Sequence, residues 1–294
     1  MGNEQTINDI LVKNGLNFTI EKIPLMGTYD GNQIISPYFG LLNTQSNEII
    51  NTTKAGYTVS QNYDVIDMVL QGMNKFGDKL QVSKAGSING GRRVFVQLEI
   101  DGAAKVGDDT IKQYVTVIDS NDGSTGLSIG VGDEVLHCEN QFFKFYKNGE
   151  AKFRHTATIT EKIKSIPKLI ETALLESIQQ VKVYNTFIST PLTEMLAHKM
   201  VKEVLGYDRL ITSVSEQAKM TKRSVDIMET LYSNIETDKG IVGNNVWALF
   251  NGLTRFTTHH QSAPKRENGK IESMLVGSGY QKAITGFDYL YSNS

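Results

Sequence analysis

Nine residues between positions 92 and 164 carry the most suggestive chemistry: Arg92, Arg93, Lys144, Lys147, Lys152, Arg154, His155, Lys162 and Lys164. Phe142, Phe143, Phe145, Tyr146 and Phe153 interleave with them. Phosphates repel one another and bind where several cations converge, and aromatic faces nearby stack unpaired bases. Phe145, Tyr146 and Phe153 are the stacking candidates. From 140 to 168 seven basic residues stand against two acidic ones, a local +5 in a chain whose net charge is −2. A local field of that sign points to a polyanion more strongly than the overall balance does. The competing reading makes the phenylalanines core and the lysines a solvated face.

Other constellations carry less. Asp119, Asp122, Asp133, Glu134 and Glu139 would suit Mg²⁺ beside a scissile phosphate, as in a metal-dependent nuclease. Asp122-Gly123 is more economically turn chemistry, and Asp133-Glu134 reads as solvent-facing beside a glycine turn. His259-His260 with His198 lacks zinc spacing. Gly86-x-x-x-Gly90-Gly91-Arg92-Arg93 lacks the Lys-Ser/Thr of a phosphate loop and precedes a strand, so Gly90-Gly91 reads as a turn or a close backbone approach. Cys138 falls in a strand pattern and reads as a small buried hydrophobe. No catalytic residue, metal or cofactor is implied.

The elements that must position the basic set are strands and one long helix. Residues 93–100, 112–119 and 127–138 alternate or are rich in β-branched side chains, separated by Asp101-Gly102 and Asn121-Asp122-Gly123-Ser124. They read as a three-stranded antiparallel meander, its third strand interrupted by a bulge at Gly130 or Gly132. A helix over 62–76 precedes it, marked by Val65, Met68, Val69, Met73 and Phe76. After Thr156, Ile163, Ile166, Ile170, Leu174 and Ile178 recur at helical spacing, predicting one helix from 159 to 184 kinked by Pro167. Further helices are predicted from Thr190-Pro191 to 206 and over 213–232, 246–258 and 280–289. Residues 259–270 read as an exposed, mobile loop. The first 55 residues mix a short helix at 7–12 with strand-like pieces at 18–25 and 35–42. The fold class is therefore α+β: a β-β-β-α core with flanking helices, an N-terminal α+β domain over 1–184, and a helical region over 185–294 that packs on it or extends it.

With 294 residues, 39% of them hydrophobic, the chain buries a core without staples. A single cysteine excludes an internal disulfide framework. No apolar stretch reaches membrane-spanning length, and the first residues lack the basic and apolar regions of a signal peptide. These features predict a protein of the cytoplasm with no membrane partner.

Several motifs occur in a specific order. Gly56-Tyr57-x-Val59-x-Gln61-Asn62 comes first, followed by Ala85-Gly86-Ser87-x-x-Gly90-Gly91-Arg92-Arg93-Val94-Phe95-Val96 and Asp122-Gly123-Ser124-Thr125. His137-Cys138-x-Asn140 and Arg154-His155-Thr156 come next, then Asn245-Val246-Trp247-Ala248-Leu249-Phe250-Asn251-Gly252, His259 and Gly277-Ser278-Gly279. In that order they resemble the phage/plasmid-like protein family known as a domain of unknown function (DUF nine-three-two), over about residues 56–290. The family usually has Arg-Val-Val-Cys-Gln-Asn where this chain has Glu134 to Asn140, which removes a basic contact before the cysteine. The resemblance implies a mobile genetic element in a bacterial host. The element order is similar to the β-β-β-α core of single-strand annealing proteins of the Red-beta, RecT and Rad type. By that likeness of fold the expected activity is non-catalytic binding and annealing of single-stranded DNA in recombination, by a homo-oligomeric ring or filament. The alternative is an interaction protein, a host-defence inhibitor or assembly component, that does not bind nucleic acid.

Overall fold

The computed structural model of the chain describes residues 2–145 and 152–294, with the backbone alone for 2–6. Lys147 and Tyr146 of the basic and aromatic set lie outside the described residues. Helix α1 (Gly2–Lys13) is followed by strands β1 (Ile20–Tyr29), β2 (Asn32–Asn43) and β3 (Glu48–Thr53), then helix α2 (Asn62–Asn74). The central strands are β4 (Leu80–Ile88), β5 (Arg93–Ile100), β6 (Ala104–Val106), β7 (Asp109–Ser120), β8 (Leu127–Val135), β9 (Asn140–Phe145) and β10 (Lys152–Phe153). Helices α3 (Ile159–Ile163), α4 (Ile166–Ser189), α5 (Glu194–Leu205), α6 (Val214–Gln217), α7 (Lys222–Val242), α8 (Val246–Arg255), α9 (Gly269–Leu275) and α10 (Ser278–Asn293) complete the chain.

Among the described residues the strands form two antiparallel sheets. The small sheet has the order β1-β2-β3. In the large one the predicted meander, β5-β7-β8, forms the centre, with β4 beside β5 at one edge. At the other edge β8 pairs with β9 along Gly130–Val135 and with β10 at Leu127 and Ser128. The third meander strand is continuous. Its glycines serve β9: a Cβ at Gly132 would lie 2.6 Å from the Phe143 ring, and one at Gly130 would lie 2.3 Å from the Lys144 carbonyl. Close approach replaces the expected bulge.

The period of two divides the large sheet into two faces. Val94, Val96 and Leu98 of β5, Val115 and Val117 of β7, and Leu127, Ile129 and Val131 of β8 share one core with α2, α3 and the first half of α4. Gly72 permits that packing, since a Cβ there would lie 2.6 Å from Ile170 and 3.0 Å from the Pro167 backbone. Phe95, Ile118 and Phe143 belong to the smallest core cluster, capped by Leu275 of α9. A third cluster joins Val106, Ile111, Val135 and Phe142 of the sheet to Tyr184, Phe187, Trp247, Phe250 and Phe287 of the helices. Trp247 Nε1 donates to the buried Asp109 carboxylate at 2.6 Å, tying α8 to the start of β7.

Several helix boundaries differ from expectation. Pro167 sits in the first turn of a new helix rather than kinking a continuous one, as its missing N–H and fixed φ favour. Thr193, not Thr190, caps α5: its side chain accepts from Leu196 N, while Pro191 bridges to Asn245. The expected loop over 259–270 is irregular and mostly exposed from 261 to 268, and it is bounded by regular structure on both sides. A π-helical turn covers Phe256–His260, and α9 lies on the sheet with Glu272, Ser273 and Leu275 buried. Among the described residues no helix is long and apolar enough to cross a membrane.

Candidate nucleic-acid interface

Turn chemistry builds the floor of a groove at the exit of the large sheet. The Asp122 carboxylate accepts from Ser124 N at 2.9 Å, and Gly123 takes φ 70° with the Tyr57 ring against it. This is the turn role foreseen for Asp122-Gly123, and it presents Ser124 and Thr125 to a groove of about 430 Å³. Arg93 Nε donates to Ser124 Oγ at 3.0 Å. Ser128 and Ile118 continue the floor, Phe145 and Lys152 form one side, and α9 and α10 form the other through Leu275, Tyr280 and Gln281. The Phe145 and Tyr280 rings touch, with centroids 5.8 Å apart. The groove therefore lies where the chain leaves the sheet for the helices.

Strand alternation divides the predicted set. Phe145 faces this groove, so its neighbour Lys144 points the opposite way, where its ammonium lies 4.9 Å from the Phe287 ring. Lys152 faces the groove and is exposed, while Phe153 is buried in the core and is not available to stack a base. Arg154 is exposed; its carbonyl accepts from Thr156 N at 2.9 Å, and its guanidinium has no hydrogen bond or ion pair among the described residues. Lys162 lies 5.6 Å over the Phe153 ring, and Lys164 forms an exposed ion pair with Glu161 at 2.9 Å. Arg92 is half-buried in the β4–β5 turn, and its carbonyl receives the N–H groups of Asn121 and Asp122. Gly91 in that turn has φ 84°, with the Phe18 ring 2.7 Å from where a Cβ would be.

His155 is corrected from surface cation to core. Its side chain is 3% exposed, and Nε2 meets Asp119 Oδ1 at 2.8 Å. Ser60 Oγ donates to Asp119 Oδ2 at 2.5 Å and lies 3.4 Å from His155 Nδ1. Tyr57 stacks on the imidazole, with centroids 5.1 Å apart and planes 9° from parallel. Burial opposes the imidazolium, yet the Asp119 hydrogen bond and charge outweigh it, and the His155 pKa is raised. Serine, histidine and aspartate are together here, but all three are buried, so the cluster fastens the Tyr57–Ser60 segment and the end of β10 to β7.

The remaining polar candidates are also tied into the fold. Asp133 is buried, not solvent-facing: Gln113 donates to it at 3.0 Å and Tyr184 at 2.7 Å, with Gln180 the third donor. Burial pushes its pKa up to about 6 against those hydrogen bonds. Cys138 lies in the β8–β9 turn rather than a strand, half-buried, and burial raises its thiol to about 11. His198 pairs with Asp208 at 2.7 Å, and His259 Nε2 meets the Cys138 carbonyl at 3.0 Å. Among the described residues no three His, Cys, Asp or Glu side chains are grouped to hold a metal ion. A second groove, about 360 Å³, lies on the far side of α9 between Lys84, Gln141, His259 and Lys270.

A family model described as "Domain of unknown function (DUF932)" matches residues 50–275. The chain belongs to the DUF932 family. The matched stretch contains the large sheet, α9, and Tyr57, Arg93, Asp122 to Thr125 and His155. Tyr280, on the opposite wall of the groove, lies beyond it. No curated protein and no solved structure matches the chain. Sequence reasoning did not find Tyr280, Glu272 or Arg266, whose roles depend on contacts far along the chain. Tyr57 was signalled only by its place in the Gly56 to Asn62 segment of the resemblance.

Proposed function

We propose that this DUF932 protein binds single-stranded DNA without catalysis, as an annealing protein of a mobile element acting as a homo-oligomer. The observation that carries the reading is the groove at the sheet-to-helix exit. There Lys152 and Arg93, hydroxyls of the Asp122–Thr125 turn and the Phe145 and Tyr280 rings share one face, beside the exposed Arg154. Cations that track a phosphate backbone and aromatic rings that take unpaired bases are the two requirements of sequence-tolerant single-strand binding. The contact set is Arg92, Arg93, Lys152, Arg154, Lys162 and Lys164, with Phe145 as the stacking residue. Mobility-shift titrations with single- and double-stranded oligonucleotides at two salt concentrations test this. Single strands should shift with an affinity that falls steeply with salt; no shift at low salt sinks the reading.

One observation supports assembly and also favours the second reading, an interaction protein. The β1–β2 hairpin from residue 26 to 35 is exposed throughout and displays Met26, Tyr29, Ile34 and Ile35, the last 76% exposed. Isolated hairpins are marginal in water, and apolar patches of this kind mark association surfaces. A second copy of the chain serves the first reading, and a different protein the second.

A further inference from the structure

Glu272 of α9 is held between two guanidinium groups. Arg266 Nη2 reaches Oε2 at 2.7 Å and Oε1 at 2.8 Å, and Arg266 Nε reaches Oε2 at 3.0 Å. Arg93 Nη1, arriving from the sheet, reaches Oε1 at 2.9 Å. The carboxylate side chain is only 10% exposed, while the arginines are 17% and 42% exposed. Two arginines converging on one small anion form a donor array that fits phosphate oxygens as well as a carboxylate.

The element carrying Glu272 is lightly held. Helix α9 has seven residues and rests on the smallest of the three core clusters. Beyond the arginines, its polar anchor is Asn268, which donates to the Ser87 carbonyl at 2.6 Å. The helix lies across the second face of the sheet and separates the 430 Å³ groove from the 360 Å³ groove. Lys152 lines the first, and Lys84 and Lys270 line the second.

We propose that Arg93 and Arg266 form a phosphate-binding site for the strand. Glu272 occupies this site in the free protein, so α9 gives way when a polynucleotide passes from one groove to the other. This rests on the nucleic-acid reading and adds to it a position for one phosphate and a competitor for that position. Exchanging a carboxylate for a phosphodiester on the same arginines preserves their neutralisation. The cost of binding is then mainly the release of a short helix.

The test uses the full chain, a fluorescent oligothymidylate and two variants. Glu272→Gln keeps the shape and drops the charge. It should bind several-fold tighter than the unmodified protein, with a salt dependence steeper by about 0.7 for the one phosphate neutralised. In an Arg266→Gln background the Glu272→Gln gain should disappear. Equal or weaker binding by a Glu272→Gln protein that melts normally would overturn the proposal while leaving the unmodified protein's DNA binding intact. Should Glu272→Gln fail to fold, hydrogen exchange on the unmodified protein decides. Amides 269–276 should exchange faster with oligonucleotide bound, and unchanged or slower exchange overturns the proposal. If the unmodified protein binds no oligonucleotide at low salt, the nucleic-acid reading fails and this proposal with it.

Discussion

Replacing His155 by alanine should damage the fold rather than a binding surface, and the expected size follows from its contacts. The substitution removes a charge-assisted hydrogen bond to a carboxylate that is itself 1% exposed, a bond worth about 1.5–3 kcal/mol. It also removes the stack on Tyr57, worth about 0.5–1.5 kcal/mol. Asp119 would keep Ser60 Oγ and the Ser120 N–H but lose its cationic partner inside the core. Breaking one side of a buried pair costs about 3–5 kcal/mol, a large part of the roughly 5–15 kcal/mol that holds a domain folded. At roughly 2 °C per kcal/mol for a chain of this size, the midpoint should drop by about 6–10 °C. Arg154→Ala, one residue away and exposed, should change stability by less than about 0.5 kcal/mol. Urea and thermal unfolding of both variants provide the comparison. A His155→Ala protein as stable as Arg154→Ala would refute the assignment of His155 to the core.

Asp133 gives a pH prediction. Its pKa is raised from 3.8 to about 6 by burial, so the folded state holds its proton more tightly than the unfolded chain does. Its contribution is favourable below about pH 4 and is lost as pH rises through about 6, a difference on the order of 3 kcal/mol at roughly 1.4 per pKa unit. His155, also raised, acts in the same sense at higher pH: the stability it gives below its ordinary 6.5 is lost above its folded-state value. Asp133→Asn should flatten the decline between pH 4 and 6 in urea midpoints, and an unchanged slope would assign that decline elsewhere. Lysines at Ile34 and Ile35 should reduce the assembly measured by light scattering to smaller species without lowering the melting temperature, since both side chains are exposed in the single chain. Unchanged mass would remove the hairpin from the assembly surface. Phe145→Ala should weaken single-strand binding by about 1–3 kcal/mol if the ring stacks a base, as read by fluorescence titration.

The meander was legible because β5, β7 and β8 each hold one apolar face in strict alternation, and the turns between them carry Asp-Gly pairs. Strand β4 was not, because Leu80, Val82 and Ile88 are separated by Ser83, Lys84, Gly86 and Ser87, and the register shifts between Val82 and Lys84. Helix α9 was not legible, since its polar residues find partners far along the chain: Glu272 meets Arg93 179 residues away, and Asn268 meets Ser87 181 residues away. His155 looked like one more cation in a basic run, because Asp119 lies 36 residues before it and Ser60 95. Local charge counting located the exit of the sheet correctly. It does not separate Lys144 and Lys152, which strand geometry sends to different faces.

The central claim is that the exposed cations at the sheet-to-helix exit hold single-stranded DNA. Salt titration of oligonucleotide affinity for the unmodified chain and for Lys152→Glu with Arg154→Glu tests it most directly. The account predicts tight low-salt binding by the unmodified chain, a slope of log affinity against log salt of about −0.7 per phosphate engaged, and near-complete loss in the double variant at unchanged melting temperature. Equal affinity and slope in the two proteins, or no binding by either, would contradict it.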